Sequence, residues 1–317
     1  MEAQCVMGID LGGTQLRGVL VDREGTIYSR VRYATASTVG PTAVIDQIAQ
    51  CVKQLQDDMP PDSRVLGVGV GAPGPVDPKE GVVFYTPNIS NWHTVPLRDE
   101  LVKRTGLRIE VGNDANAAAL GEWLFGGGKG HSHMVYITIS TGIGGGVISD
   151  NRLLLGHRGA AAEVGHILID SMTSWENLAS GTALGAAAAR AMPAHPESLL
   201  HQYATADTVT SVHVALAYDK GDMLAQQLME REAELIGVGL TNILHAYSPS
   251  IVLVGGGVVT ANPWLLDKAQ AVIKRYAIAD VYRQVPVELA QLGHDVGVLG
   301  AAALAFYASE HSEYDAR

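Results

Sequence analysis

The chain has 317 residues, 47% hydrophobic and 17% charged, with 36 glycines, 2 cysteines and a formal net charge of −11. That length exceeds one ordinary core and predicts one large or two medium domains. The acidic balance, with no basic run of five, argues against a nucleic-acid partner, and Cys5 and Cys51 are too few for a disulfide framework or a cysteine metal cluster. No apolar run reaches the ~18 residues of a membrane span. MEAQCVMGID lacks the positive start of a signal peptide, so no membrane partner and a reducing, cytoplasmic setting are expected.

In chain order, CVMGID (5–10) reads as a buried strand that breaks at LGGT and resumes as RGVLVD (17–22), a hairpin with a Gly-rich turn. Val44, Ile48, Val52 and Leu55 repeat at helical spacing after Pro41, predicting a helix over 41–58. Strands are predicted at 64–70, 82–86 and 107–111, and helices at 96–106, ending on Gly106, and at 115–125. The opening device then recurs. MVYITIS (134–140) is a strand, TGIGGG a Gly-rich turn and VISD (147–150) the return. This repetition reads as an internal duplication, against the simpler reading of two chance Gly-rich hairpins. Helices follow over 181–191 and 221–246, a strand ending in glycines at 250–257, a helix at 262–276, a strand at 286–292 and an apolar helix at 296–308. Alternating strands and helices imply an α/β fold. Residues 192–218 show no readable chemistry.

Asp10-Leu11-Gly12-Gly13-Thr14 suits a phosphate cradle, with backbone N–H groups exposed by the glycines and a hydroxyl on Thr14. Asp10 suits a Mg²⁺-bound water. A tight turn with a capping Asp explains the same residues. Ser140–Gly146 and Gly255–Gly257 repeat the device, and three Gly-rich strand ends together favour a nucleotide. Asn113-Asp114 joins a strand to a helix, so Asp114 is either an N-cap or a general base beside the helix dipole. Glu163 and His166 are three apart, with Glu176 beyond. Metal ligation, a structural histidine and recognition of sugar hydroxyls all remain open on spacing alone.

Taken together, in order and spacing, these residues resemble the ROK family of sugar kinases, over roughly residues 5 to 308. The resemblance rests on Asp10–Thr14, Gly69–Gly74, Asn113-Asp114, Ser140–Gly146, Glu163-x-x-His166, Glu176 with Ala179–Gly181, and Gly255–Gly257. It implies a two-domain actin/hexokinase-like (RNase H-like) α/β ATPase fold with a cleft between the domains. One domain is expected over 1–117, completed by the closing helix at about 296–317, and a larger one over 118–295. It implies ATP-dependent phosphorylation of a hexose, with Asp114 as general base and Gly74, Asn88, Asn113, Asp114, Glu163, His166 and Glu176 on the sugar. Asp10, Gly12, Gly13, Thr14, Gln15, Thr141, Gly142, Gly144, Gly256 and Gly257 are expected on ATP, and Asp10 on Mg²⁺ through water. PNISNWHTVPL (87–97) is similar to the corresponding stretch of the family's glucokinases and favours glucose. A homodimer is expected by resemblance alone.

Two departures stand out. Many ROK proteins carry a Cys-x-Cys-Gly-x-x-Gly-Cys segment that binds structural zinc together with the histidine. ILIDSMTSW (167–175) fills that interval here, shorter and without cysteine, so no zinc site is expected. Packing by Trp175 and its apolar neighbours is the expected substitute. Gln15 stands where the family often has Lys, removing a positive charge near the phosphates. Three rivals remain: a ROK repressor, disfavoured because the first strand starts at about residue 5 and the chain is acidic; a catalytically idle sugar sensor, disfavoured by Asp114; and a kinase for mannose, allose, an N-acetylhexosamine or another acceptor.

Overall fold

The computed structural model describes residues 3–86, 88–170 and 172–311. Pro87 of the 87–97 stretch, Ser171 of the 167–175 interval and residues 312–317 of the expected closing segment lie outside them. The chain divides into two compact units. One takes Met1–Gly130, Arg152–Ala161 and His294–Arg317, and the other His131–Asn151 and Ala162–Gly293. The boundary expected at 117/118 falls inside a continuous helix, and the first unit runs on to Gly130.

In the first unit, β1 (Ala3–Leu11) and β2 (Gln15–Asp22) form an antiparallel hairpin that β3 (Ile27–Ala34) extends. On the other side of β1, β4 (Ser63–Ala72) and β5 (Ile109–Asn113) pair in parallel, giving the order β3-β2-β1-β4-β5. Parallel strands need long crossovers. The first is α1 (Pro41–Asp57), which has Pro at its start and buries Val44, Ile48, Val52 and Leu55 along one stripe. The second contains α2 (Leu97–Thr105), which Gly106 ends in the left-handed conformation. The polypeptide then enters α3 (Asp114–Phe125) directly from β5.

The closing helix (Val296–Glu310) is buried on nearly every side. It reaches this position because the strands beneath it carry glycine. A Cβ on Gly8 would clash with the Val298 carbonyl, and one on Gly69 with the Ala301 carbonyl. Gly300 lies equally close to α3, where a Cβ would stand 2.5 Å from the Ala117 carbonyl oxygen. Backbone therefore meets backbone across strand and helix, and Ala301, Ala302 and Ala303 fill the seam without bulk.

The second unit repeats the plan. β6 (Met134–Ile139) and β7 (Ile143–Ser149) form an antiparallel hairpin; β8 (Ile251–Gly255) pairs parallel to β6 and β9 (Val287–Leu289) parallel to β8. A hairpin flanked by two parallel strands thus occurs in both units, as the duplication reading expects. The second turn is shorter than TGIGGG suggests. Gly144, Gly145 and Gly146 are strand residues opposite Thr138, Ile137 and Tyr136, so the return begins at Ile143. Glycine serves close packing there, since a Cβ on Gly145 would sit 2.9 Å from Val164 Cγ2. Helices cover this sheet: α4 (Trp175–Ala179), α5 (Gly181–Ala191), α6 (Ser211–Asp219), α7 (Met223–Tyr247) and α8 (Gly257–Ala261).

Candidate active site

In the first unit, the β1–β2 turn is closed by the Gly12 N–H donating to the Gln15 carbonyl at 2.9 Å, and Thr35 Oγ1 donates to the Gly12 carbonyl at 2.7 Å. Thr14 is tied to the end of β3, where the Thr35 N–H donates to its carbonyl at 3.0 Å. Gly13 is required by packing, because a Cβ there would clash with Asn88 Cβ. Asn88, expected among the sugar ligands, is therefore seated on the first phosphate turn. Asp10, at the end of β1, faces Arg17 of β2, whose Nη2 stands 2.5 Å and Nε 3.1 Å from Asp10 Oδ2. Arg17 Nη1 also donates to the His294 carbonyl at 2.9 Å. Gln15 brings no charge to this turn, whereas Arg17, absent from the residues expected at the site, is the direct partner of Asp10 through strand register alone.

At the β5–α3 junction the cap is Asn113. Its Oδ1 accepts from the Ala115 and Asn116 N–H groups at 2.9 and 3.2 Å, and its Nδ2 donates to the Gly74 carbonyl at 3.3 Å. Capping thus accounts for Asn113 and leaves Asp114 unexplained. Asp114 is exposed in the first turn of α3, where the helix dipole favours its ionised form; its Oδ1 accepts from the Ala115 N–H at 2.8 Å. Gly74 has φ +88°, and a Cβ there would clash with the Tyr85 carbonyl, so the turn that presents its carbonyl to Asn113 admits only glycine.

In the second unit the β6–β7 turn is held by the segment that carries Glu176. Glu176 Oε2 accepts the Ile143 N–H at 2.8 Å, and a Cβ on Gly142 would strike that oxygen. The Gly181 N–H donates to the Ser140 carbonyl at 2.7 Å. Glu163 caps a one-turn 3₁₀ helix (Val164–His166) that His166 ends, both exposed, with the His166 N–H donating to the Glu163 carbonyl at 3.1 Å. Val164 is buried, and Gly165 lies so close to the Ile143 carbonyl that a side chain would collide with it. The structure therefore brings Glu163, His166, Glu176, Thr141 and Gly142 together around Ile143. Gly144 lies one residue further, inside the strand, where its N–H and carbonyl belong to the ladder region opposite Thr138.

A cavity of about 620 Å³ opens beside this turn, lined by Ser140, Thr141, Gly181, Thr182, Gly257 and Asn262 and walled by α6. That volume suits a nucleotide-sized ligand. Gly256 (φ +90°) bends the chain from β8 into α8 and places Gly257 on the cavity wall. Val212, Ala215, Leu216 and Asp219 of α6 line the opposite side. Val212, Ala215 and Leu216 lie in the 192–218 stretch that shows no readable chemistry, with Asp219 just beyond it; their i, i+3, i+4, i+7 spacing is the available signal. Val212 and Leu216 are 64% and 46% exposed, an apolar surface at a cavity mouth.

The family model that matches this sequence is that of the ROK family, over residues 6–307. The chain belongs to the ROK family. It is 38% identical to a glucokinase of Streptomyces coelicolor over 313 residues, covering 94% of this chain and 96% of the relative. Among solved structures it resembles a ROK family glucokinase from Streptomyces griseus in complex with glucose and AMPPNP, with 36% identity, a TM-score of 0.79, and 96% and 99% of the two chains covered. A ROK hexokinase from Thermus thermophilus gives 31% identity, a TM-score of 0.84, and 96% and 99% coverage. The fold is thus the two-domain ROK kinase fold of the actin/hexokinase-like ATPases.

Against that ROK background, the 167–175 interval is a short hairpin in which Leu168 pairs with Ser174 and Asp170 with Thr173. Trp175 closes it. Its backbone N–H donates to the Ile167 carbonyl at 2.8 Å, it is 1% exposed, and its indole packs against Gly239 of α7, where any Cβ would collide. Ile167 and Ile169 pack on the same core. Ile167, Ile169 and Trp175 thus anchor the described part of the segment joining His166 to Glu176 to the core. Among the described residues, no group of three His, Cys, Asp or Glu side chains is arranged to hold a metal, and no helix is long and apolar enough to cross a membrane. Cys5 and Cys51 are free and buried, and burial pushes the Cys51 thiol up to about 12.

Proposed function

We propose that this ROK protein is a glucokinase that transfers the terminal phosphoryl group of ATP to a hydroxyl of glucose. The observation that carries the reading is the 620 Å³ cavity bounded by Thr141 and Gly257, residues assigned to the nucleotide from sequence. The kinship to glucokinases along nearly the whole chain supports it.

In this reading Asp114 takes the proton of the attacking hydroxyl. Its carboxylate stands exposed on a rigid helix start, and the cap is supplied by its neighbour. Glu163, His166 and Glu176 accept or donate hydrogen bonds with sugar hydroxyls, and their placement is fixed by Val164, Gly165 and Trp175. Asn113, Gly74 and Asn88 contribute to the same recognition. Asp10, Gly12, Gly13, Thr14, Gln15, Thr141, Gly142, Gly144, Gly256 and Gly257 attend the nucleotide. Phosphoryl transfer needs positioning and charge neutralisation more than covalent chemistry. The donor set fits Mg²⁺, which takes one or two carboxylates alongside waters and phosphates; Asp10 is the carboxylate of its turn. Bound there, Mg²⁺ would neutralise phosphate charge. Arg17 shares Asp10, so the carboxylate is held in place before any cation arrives.

A homodimer and a cytoplasmic location belong to the same proposal, the first on resemblance and the second because ATP is the donor. The test is an ATP-dependent phosphorylation panel over glucose, mannose, allose, fructose, N-acetylglucosamine and N-acetylmannosamine. Glucose should give the highest kcat/KM. No turnover on any sugar would replace the kinase by a sugar sensor.

A further inference from the structure

We propose that Glu176 is a positioning residue for the nucleotide turn as well as a sugar ligand, so that one carboxylate couples the two substrates. The inference rests on the readings of Glu176 and of the β6–β7 turn given above. The segment 176–182 makes three hydrogen-bond links to the turn from Ser140 to Ile143. Two of the links are backbone bonds, from Gly181 to the Ser140 carbonyl at 2.7 Å and from Thr182 to the Thr141 carbonyl at 3.4 Å. The third is a side chain, Glu176 Oε2 accepting the Ile143 N–H at 2.8 Å. A carboxylate acceptor makes this the strong bond of the three. The oxygen lies where a Cβ on residue 142 would stand, so Gly142 is the residue that lets the carboxylate reach Ile143.

Glu176 is half-buried, and among the described residues no hydrogen bond engages its other oxygen. A carboxylate accepts at both oxygens. A sugar hydroxyl donating to Oε1 would therefore fix the rotamer that holds Ile143, leaving the clamp intact. Ile143 is gripped again through its carbonyl, against which Gly165 is packed between Glu163 and His166. The same strand residue is thus contacted by Glu176 and by Gly165, the backbone link between Glu163 and His166. Sugar binding should tighten the turn and raise nucleotide affinity. By linkage the nucleotide must raise sugar affinity by the same factor.

The experiment uses the full chain and three variants. Binding of a non-hydrolysable ATP analogue is measured by calorimetry with and without glucose, and amide hydrogen exchange is followed over residues 140–146. Glu176→Gln keeps an oxygen for the Ile143 N–H but removes the charge. Glu176→Ala removes the clamp. Gly142→Ala displaces it from the other side. Without sugar, Glu176→Gln should bind the analogue within about twofold of wild type, whereas Glu176→Ala and Gly142→Ala should bind it about fivefold or more weakly, the scale of one lost hydrogen bond. Exchange over 140–146 should accelerate in the same two variants and stay near wild type in Glu176→Gln. Glucose binding should weaken in both Glu176 variants. Wild-type analogue affinity and exchange in Glu176→Ala would overturn the clamp and leave a sugar ligand only. Equal weakening in Glu176→Gln and Glu176→Ala would also overturn it, because charge rather than the bond to Ile143 would then be responsible. If wild type phosphorylates no sugar, the proposed function fails, while the exchange comparison still decides the clamp.

Discussion

Asp10 and Arg17 are direct partners across the β1–β2 ladder, and the Arg17 guanidinium closes on Asp10 Oδ2 at 2.5 and 3.1 Å. The same guanidinium reaches the His294 carbonyl, just before the closing helix, where Gly297 leaves room for the pair. Arg17→Ala is expected to cost about 1 kcal/mol of stability, the pair being part-exposed. It should also raise KM for ATP several-fold, because Asp10 would then face the phosphates uncompensated. Arg17→Lys keeps the charge but not the planar fork and should fall between. Chemical denaturation and an ATP titration measure both; an unchanged KM in Arg17→Ala would separate Arg17 from the nucleotide.

Asp114→Asn should reduce kcat by about 10²–10⁴-fold, the usual contribution of a general base. Stability should hardly change, since Asn113 performs the cap and an amide oxygen can still accept the Ala115 N–H. Asn113→Ala should lose about 1 kcal/mol of stability through the cap, with its effect on glucose falling on KM rather than kcat. Denaturation curves and initial rates on glucose distinguish the two. Near-normal turnover in Asp114→Asn would remove the base from Asp114.

Trp175→Ala empties a site against α7 and should cost roughly 3–5 kcal/mol. Gly239→Ala is the sharper test, since its new methyl has no space under the indole. It should displace Trp175, loosen the 167–175 hairpin and raise KM for glucose. Tryptophan fluorescence and glucose titration report on each.

Glu232 on α7 is 2% exposed, its Oε1 has no hydrogen-bond partner among the described residues, and burial pushes its carboxyl from the usual 4.5 up to about 8, with Arg231 opposing weakly. Below pH 4.5 the folded and unfolded chains both hold this proton. Between 4.5 and about 8 only the folded chain holds it. The unfolded state then binds fewer protons, so stability falls as pH rises through that window, by up to about 1.4 kcal/mol per pH unit. Urea unfolding at pH 5.5, 7 and 8.5 should show the decline, and Glu232→Gln should flatten it.

Purified protein treated with chelator should retain its unfolding temperature and contain far less than one zinc per chain by elemental analysis. Stoichiometric zinc would contradict the packing account of the 167–175 segment.

Much of the site was legible in sequence because its parts are local. A strand ending in Gly-Gly-Thr, an Asn-Asp before a helix and Glu-x-x-His each announce a turn, a cap or a polar pair within a few residues. The misreadings came where neighbours along the chain compete. Both Asn113 and Asp114 satisfy the composition of a cap, and only backbone geometry assigned it to Asn113. Gly144 to Gly146 look like turn residues, yet the hairpin register makes them strand, where Gly145 clears space for Val164. The α6 wall was overlooked because Val212, Ala215 and Leu216 are apolar and advertise no chemistry, its polar lining residues Ser211 and Asp219 standing at the helix ends.

By itself the sequence determined the family, the alternation of strands and helices, the repeated hairpin and the candidate polar residues, because each is encoded in spacing along the chain. Only the tertiary structure decided who touches whom. Arg17 on Asp10 follows from strand register, Asn88 on Gly13 and Trp175 on Gly239 from packing, and Glu176 on Ile143 from a side chain reaching a turn 33 residues away. Such contacts depend on excluded volume and on hydrogen-bond direction in three dimensions. Neither leaves a period in the sequence; both leave only a glycine where a neighbour needed the space.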